Sequence, residues 1–203
     1  SMSKALLNSS IALVLCVLFV WVAYEAIDKP VALWAYANQL KQFHGFDLFV
    51  HVPEVIMGFL FLMYPILAIR FCLTKPTYLD RAILAAANSS AIGYFLVTPL
   101  KVIFGRYNPK AYMGHFPRLL NQHLYGFNFF HVGSAFASFP SGHTTVAVAA
   151  LTTLAITYPL WRWFAMLMSA LIMIGLVVTN YHFVGDVIGG AFLGGVTGYF
   201  TTL

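Results

Sequence analysis

The sequence predicts an all-α, polytopic membrane protein, a bundle of six transmembrane helices with one interfacial amphipathic helix. Of 203 residues, 61% are hydrophobic and 8% charged, and the mean hydropathy is +0.82, outside the range of water-soluble domains. Apolar runs long enough to cross a bilayer, roughly 20 residues each, recur along the chain. No break in composition and no internal repeat divides them, so residues 3–203 read as one transmembrane domain. Ser1 ahead of Met2 looks like a cloning remnant.

The first span runs from Ala5 to about Ile27, with Lys4 anchoring its start and Asn8, Ser9 and Ser10 as its polar positions. It is too long for a cleaved signal peptide and lacks a small-residue cleavage site. Asp28 to Val52 is too polar to cross. There Val31, Trp34, Leu40 and Phe43 recur at helical spacing beside Lys29 and Lys41, which predicts the interfacial helix. Glu54 to Leu73 forms the second span, bent near Pro65, and Ala82 to Phe104 the third, with Lys101 and Arg106 at its end. Tyr107 to Phe139 is a long aromatic connection. Its His115, His123 and His131, eight residues apart, match no common metal-ligand pattern. Ser141 to Leu160, Trp161 to Asn180 and Val184 to Leu203 complete the set. Gly189, Gly190, Gly194 and Gly195 in the last permit close helix contact.

The net charge of +5, from 11 basic and 6 acidic residues, resides mostly at the ends of apolar runs. Those bases fit membrane anchors and an anionic substrate, not nucleic acid. Cys16 and Cys72 lie in apolar segments and behave as small hydrophobes. With Lys101, Arg106, Lys110 and Arg118 set aside as site or long-loop residues, Lys4, Arg70, Lys75, Arg81 and Arg162 outnumber Lys29 and Lys41. That bias puts both termini in the cytoplasm and the polar loops outside. The expected location is a bacterial inner membrane, with the site on its periplasmic side.

Three polar clusters fall on one side of this topology. In Pro140-Ser141-Gly142-His143 a helix breaker, an N-cap and a glycine lead into a helix whose first turn carries an imidazole. Such a terminus suits an anion. His182 and Asp186 stand four residues apart on one helix face, a carboxylate placed to orient an imidazole. Lys101 and Arg106 close the third span. Ionisable groups are costly in a bilayer, and this set suits phosphoryl transfer. Cations and amides would hold the phosphoryl oxygens, His182 would attack phosphorus, and His143 would protonate the leaving oxygen. No carboxylate cluster stands ready for a metal ion, so no cofactor is expected.

At these residues the sequence resembles the type 2 phosphatidic acid phosphatase superfamily, whose motifs are Lys-x6-Arg-Pro, Pro-Ser-Gly-His and Ser-Arg-x5-His-x3-Asp. Pro140 to His143 complete the second motif. His182 and Asp186 supply the end of the third, and Lys101 and Pro109 parts of the first. The resemblance implies that His143 is the acid, His182 the residue phosphorylated, Asp186 its orienting partner, and Lys101 and Ser141 phosphate ligands. Asn108 replaces the first motif's arginine, and Gly175 and Leu176 replace Ser-Arg in the third. Arg106, Asn108, Gly142 and Asn180 are the candidates to make up the phosphate site.

The activity expected is that of a lipid phosphatase acting on a membrane phospholipid or polyprenyl phosphate. The alternatives are a phosphotransferase that passes the group to a lipid or sugar hydroxyl, and a binding protein without turnover. Asn108→Arg with Leu176→Arg is expected to raise phosphate-monoester binding unless packing at Leu176 forbids it.

Overall fold

A computed structural model describes residues 2–112 and 125–203. The N-terminal apolar run, Met2–Ala37, is one long rod. Helix α1 (Met2–Val22) passes through a π turn (Ala23–Ile27) into α2 (Asp28–Ala37). Most of the large side chains of α1 are exposed, as lipid-facing residues are. The rod stops where Gln39 takes a left-handed conformation, and a short 3-10 turn (Leu40–Gln42) leads into α3 (His44–Leu73). At the far end of α3, Arg70 grips Asp80 through two bonds of 3.0 and 3.1 Å. Thr77 and Asp80 form a reciprocal capping box that starts α4 (Tyr78–Phe104).

This layout corrects the interfacial helix expected over Asp28–Val52. Residues 28–37 prolong the first helix, and residues 44–52 are the opening turns of α3, which starts ten residues before the expected Glu54. Polar His44, Asp47 and His51 mislead because an exposed N-terminal end of a helix carries such residues without leaving it. The π turn is what lets α2 bury Asp28, Ala32 and Ala35 on one side while Trp34 stays exposed.

Helix α5 (Gly142–Thr157) is the central element. Its residues from Thr144 to Leu151 are buried on every face. A 3-10 turn (Pro159–Trp161) joins it to α6 (Arg162–Val178), and a five-residue turn leads to α7 (Val184–Thr201). The α5–α7 contact depends on glycine. A Cβ on Gly190, Gly194 or Gly198 would lie 2.6, 2.5 and 2.6 Å from the carbonyl oxygens of Ser141, Thr145 and Ala149, so any side chain would push the helices apart. Gly190 and Gly194 match the expected stripe, Gly189 packs on Phe139, and Gly195 touches nothing within 4 Å. Hydroxyls join α4 to α5: Ser90 Oγ donates to the Val146 carbonyl at 2.9 Å, and Ser89 and Thr153 pair at 3.1 Å.

Among the described residues, four helical segments are long and apolar enough to cross a membrane: Met2–Ala37, His44–Leu73, Tyr78–Phe104 and Pro159–Val178. The fifth helix, at 16 residues, is shorter than a crossing segment, and α7 is not among the four. The apolar helices make this an integral membrane protein. Leu176 is fully buried in a core cluster with Val50, Ile172 and Val187, so packing forbids the arginine that sequence reasoning would restore there.

Candidate active site

The end of α4, the starts of α2, α5 and α7, and the α6–α7 turn meet at one end of the bundle. Ser141 caps α5: its Oγ accepts from the amide and the hydroxyl of Thr144 at 3.3 and 3.0 Å. Its amide donates to the Asp186 carbonyl at 3.0 Å, which ties the start of α5 to α7. Gly142 follows without a side chain, and the Lys101 ammonium lies 3.8 Å from where its Cβ would be. His143 comes next, its ring 6.1 Å from that of His182.

His182 sits in the α6–α7 turn, its amide and that of Tyr181 both donating to the Leu176 carbonyl. The ring is buried, with Nδ1 3.5 Å from Asp186 Oδ2 and no closer partner. A shift of about half an ångström would complete that hydrogen bond, and such bonds are often long before substrate binds. Nε2 is on the other side of the ring from Asp186. Burial, opposed by the Asp186 carboxylate, holds the imidazole below the ordinary histidine value of 6.5, so the ring is neutral at neutral pH.

Asp186 accepts three hydrogen bonds. Oδ1 accepts from Arg106 Nη1 at 2.8 Å, and Oδ2 accepts from Ser138 Oγ at 2.5 Å and the Phe183 amide at 2.9 Å. Arg106 in turn donates through Nη2 to Asp28, whose other oxygen takes the Gly185 amide at 3.0 Å. Arg106 and both carboxylates are buried to within 1%. Aromatic rings surround the guanidinium, Phe183 at 4.5 Å and Phe127 at 5.1 Å from its central carbon. Burial disfavours its charge, yet the two carboxylates outweigh that and hold it more firmly protonated than a free arginine.

The structure therefore departs from the sequence expectation at Arg106, which has no surface to offer a phosphate. It departs likewise at Asn180: this residue is buried in the left-handed conformation, and its amide donates to the Ala32 carbonyl at 3.0 Å, pinning the α6–α7 turn to α2. Asn108 is half-buried, and its side-chain oxygen accepts from the Lys110 amide at 2.8 Å. His131 packs on Phe136, with ring centres 4.8 Å apart; His115 and His123 fall outside the described residues.

A cavity of about 380 Å³ opens between α3, α4 and α5 beside this cluster. Lys101, Gly142, His143 and Glu54 line its polar end, and Met57, Tyr94, Val97 and Val146 continue it along apolar helix faces. Tyr94 is two helical turns from Lys101, about 10 Å down the membrane axis. Lys110 stacks on Tyr181 at 4.0 Å, and Tyr181 borders His143 at 6.1 Å.

Sequence reasoning passed over Asp28, Ser138 and Glu54. Asp28 and Glu54 carried one faint signal, a lone acid at the edge of an apolar run. The chemistry on offer is an uncharged imidazole, a second imidazole, an ammonium group and the first amides of a helix. The ammonium, His143 and the helix start border a cavity with an apolar extension, and His182 is buried behind His143, its ring 6.1 Å away.

The solved structures similar to this chain include the first transmembrane PAP2 type phosphatidylglycerolphosphate phosphatase from Bacillus subtilis. It matches with 20% identity and a TM-score of 0.53 over 93% of this chain and 92% of that one. The crystal structure of Aquifex aeolicus LpxE matches with 21% identity and a TM-score of 0.47 over 78% and 92%. No curated protein matches the sequence. The sequence profile of the PAP2 superfamily matches residues 82–203, the segment that holds Lys101, His143, His182 and Asp186. The chain belongs to the PAP2 superfamily.

Proposed function

We propose that the protein is a lipid phosphatase that works through a phosphohistidine. The observation that carries this reading is the 6.1 Å separation of the His143 and His182 rings beside the Lys101 cavity. In the first half-reaction His182 Nε2 forms a bond to phosphorus as the bond to the lipid oxygen breaks, and His143 gives that oxygen its proton. Lys101 and the Gly142 and His143 amides, which as the first of the helix have no partner within it, hold the phosphoryl oxygens. In the second half-reaction water attacks phosphorus, His143 takes its proton, the P–N bond breaks and inorganic phosphate leaves. Asp186, locked by Arg106, Ser138 and Phe183, keeps His182 in one orientation throughout. The histidine supplies the nucleophile directly, so EDTA is expected to leave the rate unchanged. Lys4, Arg70, Lys75, Arg81 and Arg162 at the opposite helix ends favour a cytoplasmic position for that end, with the site facing the periplasm of a bacterial inner membrane.

A second reading has an observation of its own. Among the described residues that line the cavity, Lys101 is the one lysine or arginine, and both arginine positions of the family motifs are filled by neutral residues, Asn108 and the buried Leu176. A less charged phosphodiester suits that site, with a lipid or sugar hydroxyl as acceptor in place of water. Labelled phospholipid separates the two. Release of labelled inorganic phosphate, lost in His182→Ala, supports the phosphatase; label found only on a second lipid contradicts it.

A further inference from the structure

The α3 carboxylate Glu54 reaches over the cavity to the candidate acid, its Oε1 3.5 Å from His143 Nε2. The same carboxylate is 3.2 Å from His51 Nδ1 on its own helix, and it remains more than half exposed. A negative group at the mouth of an anion site needs a reason, because it opposes the ligand the site is built to hold. Lys101 on α4 is on the cavity wall opposite, and His182 and Tyr181 face His143 from the α6–α7 turn.

The placement follows the path of the leaving group. A proton donor must come within about 3 Å of the oxygen it protonates. If His143 Nε2 makes that contact, the leaving oxygen falls within about 6.5 Å of the Glu54 carboxylate and the atoms bonded to it within about 8 Å, a gap that a hydroxyl or amino substituent on the leaving alcohol can close. The phosphoryl group being transferred is at the other end of the reacting bond, toward His182 and Lys101. Glu54 thus senses the part of the substrate that departs.

We infer that Glu54 determines specificity for the leaving group. It selects phosphate esters whose leaving alcohol bears a hydroxyl or amino donor beside the scissile oxygen, and it selects against diphosphates, whose leaving group is itself an anion. The inference rests on the phosphatase reading and deepens it. A neighbouring hydroxyl donates to the carboxylate, whereas a leaving phosphate meets like charge with Lys101 already engaged by the transferred group. Because Glu54 is exposed on α3, its replacement does not unpair a buried partner. A general change in the acidity of His143 would move all substrates together, so the ratio between substrates isolates the selective role.

The test uses the full chain in detergent with three probes: phosphatidylglycerol phosphate, which has a hydroxyl beside the scissile oxygen, phosphatidic acid, which has none, and undecaprenyl diphosphate. Phosphate release is measured for the wild type, Glu54→Gln, Glu54→Asp and a His182→Ala blank. The wild-type order of kcat/KM is phosphatidylglycerol phosphate, phosphatidic acid, undecaprenyl diphosphate. In Glu54→Gln the ratio of first to last falls tenfold or more, while Glu54→Asp, which keeps the charge, stays within about threefold of wild type. A first-to-last ratio unchanged within twofold in Glu54→Gln, or a wild type that prefers the diphosphate, overturns the inference and leaves the phosphatase reading standing. Phosphate release undiminished in His182→Ala overturns both.

Discussion

Two cations five residues apart, Lys101 and Arg106, look alike in the sequence and have opposite surroundings. Arg106 is sealed between Asp28 and Asp186 under a cover of aromatic rings, with both terminal nitrogens bonded to carboxylates. Lys101 borders an open cavity, next to a glycine that keeps the space in front of it clear. A buried charge paired with two carboxylates holds a structure in place, and a charge left facing a cavity is available to a ligand. The site is built from both: a rigid half around Asp186 that fixes His182, and a half around Lys101 and His143 with room for substrate.

Exchanging the two cations for methionine breaks this comparison most sharply. Lys101→Met is expected to lower kcat/KM for phosphate release by about 10²- to 10³-fold, as loss of one preorganised charge in an active site does, with a melting temperature close to wild type. Arg106→Met leaves two buried carboxylates without their partner and costs about 3–5 kcal/mol of stability, read as a large drop in the thermal midpoint in detergent. The opposite pattern, a stable Arg106 variant and an unstable Lys101 variant, would reverse the assignment.

Asp28→Asn sharpens the picture further, since it keeps the shape and removes one charge. Arg106 is then shared with no rival carboxylate and draws more strongly on Asp186, which weakens the pull of Asp186 on the His182 proton. On the proposed mechanism His182 must be neutral to attack, so the rate falls as pH drops through its pKa, below the ordinary value of 6.5. The acidic limb of the kcat/KM profile is expected to lie below that pH in the wild type and to move lower still in Asp28→Asn. An acidic limb above pH 6.5 in the wild type would contradict the burial argument. The smallest effect expected is that of Asn108→Arg, which adds a cation at a half-buried position outside the cavity lining and improves the KM for a phosphate monoester by less than tenfold.

The two halves also differ in how far the sequence disclosed them. Ser141 to His143, and His182 with Asp186, are adjacent or four residues apart, so the sequence alone puts them close, although His182 meets Asp186 from the turn before α7 and not from one helix face as expected. Arg106 and Asp28 are 78 residues apart, and no periodicity links them. Asp28 was legible only as the start of a polar stretch, because the π turn that rotates it inward has no sequence mark. Leu176 shows the converse case. It occupies a motif position where the family has a cation, and only packing shows that this side chain points into the core. The bundle itself was legible from its apolar runs, but the length of α3 was not, since polar residues on an exposed helix end look the same as a break. Asn180 was named as a phosphate donor for its chemistry, and its left-handed backbone and bond to Ala32 give it a structural task instead.

The most direct test of the central claim is to trap the covalent intermediate. The protein is mixed with a phospholipid labelled in its phosphate, quenched rapidly in alkali, and the label located by peptide mapping. The account predicts an acid-labile, base-stable phosphoramidate on His182 in the wild type and no label in His182→Ala. Label on another residue, or rapid phosphate release with none on the protein at any time, would contradict it.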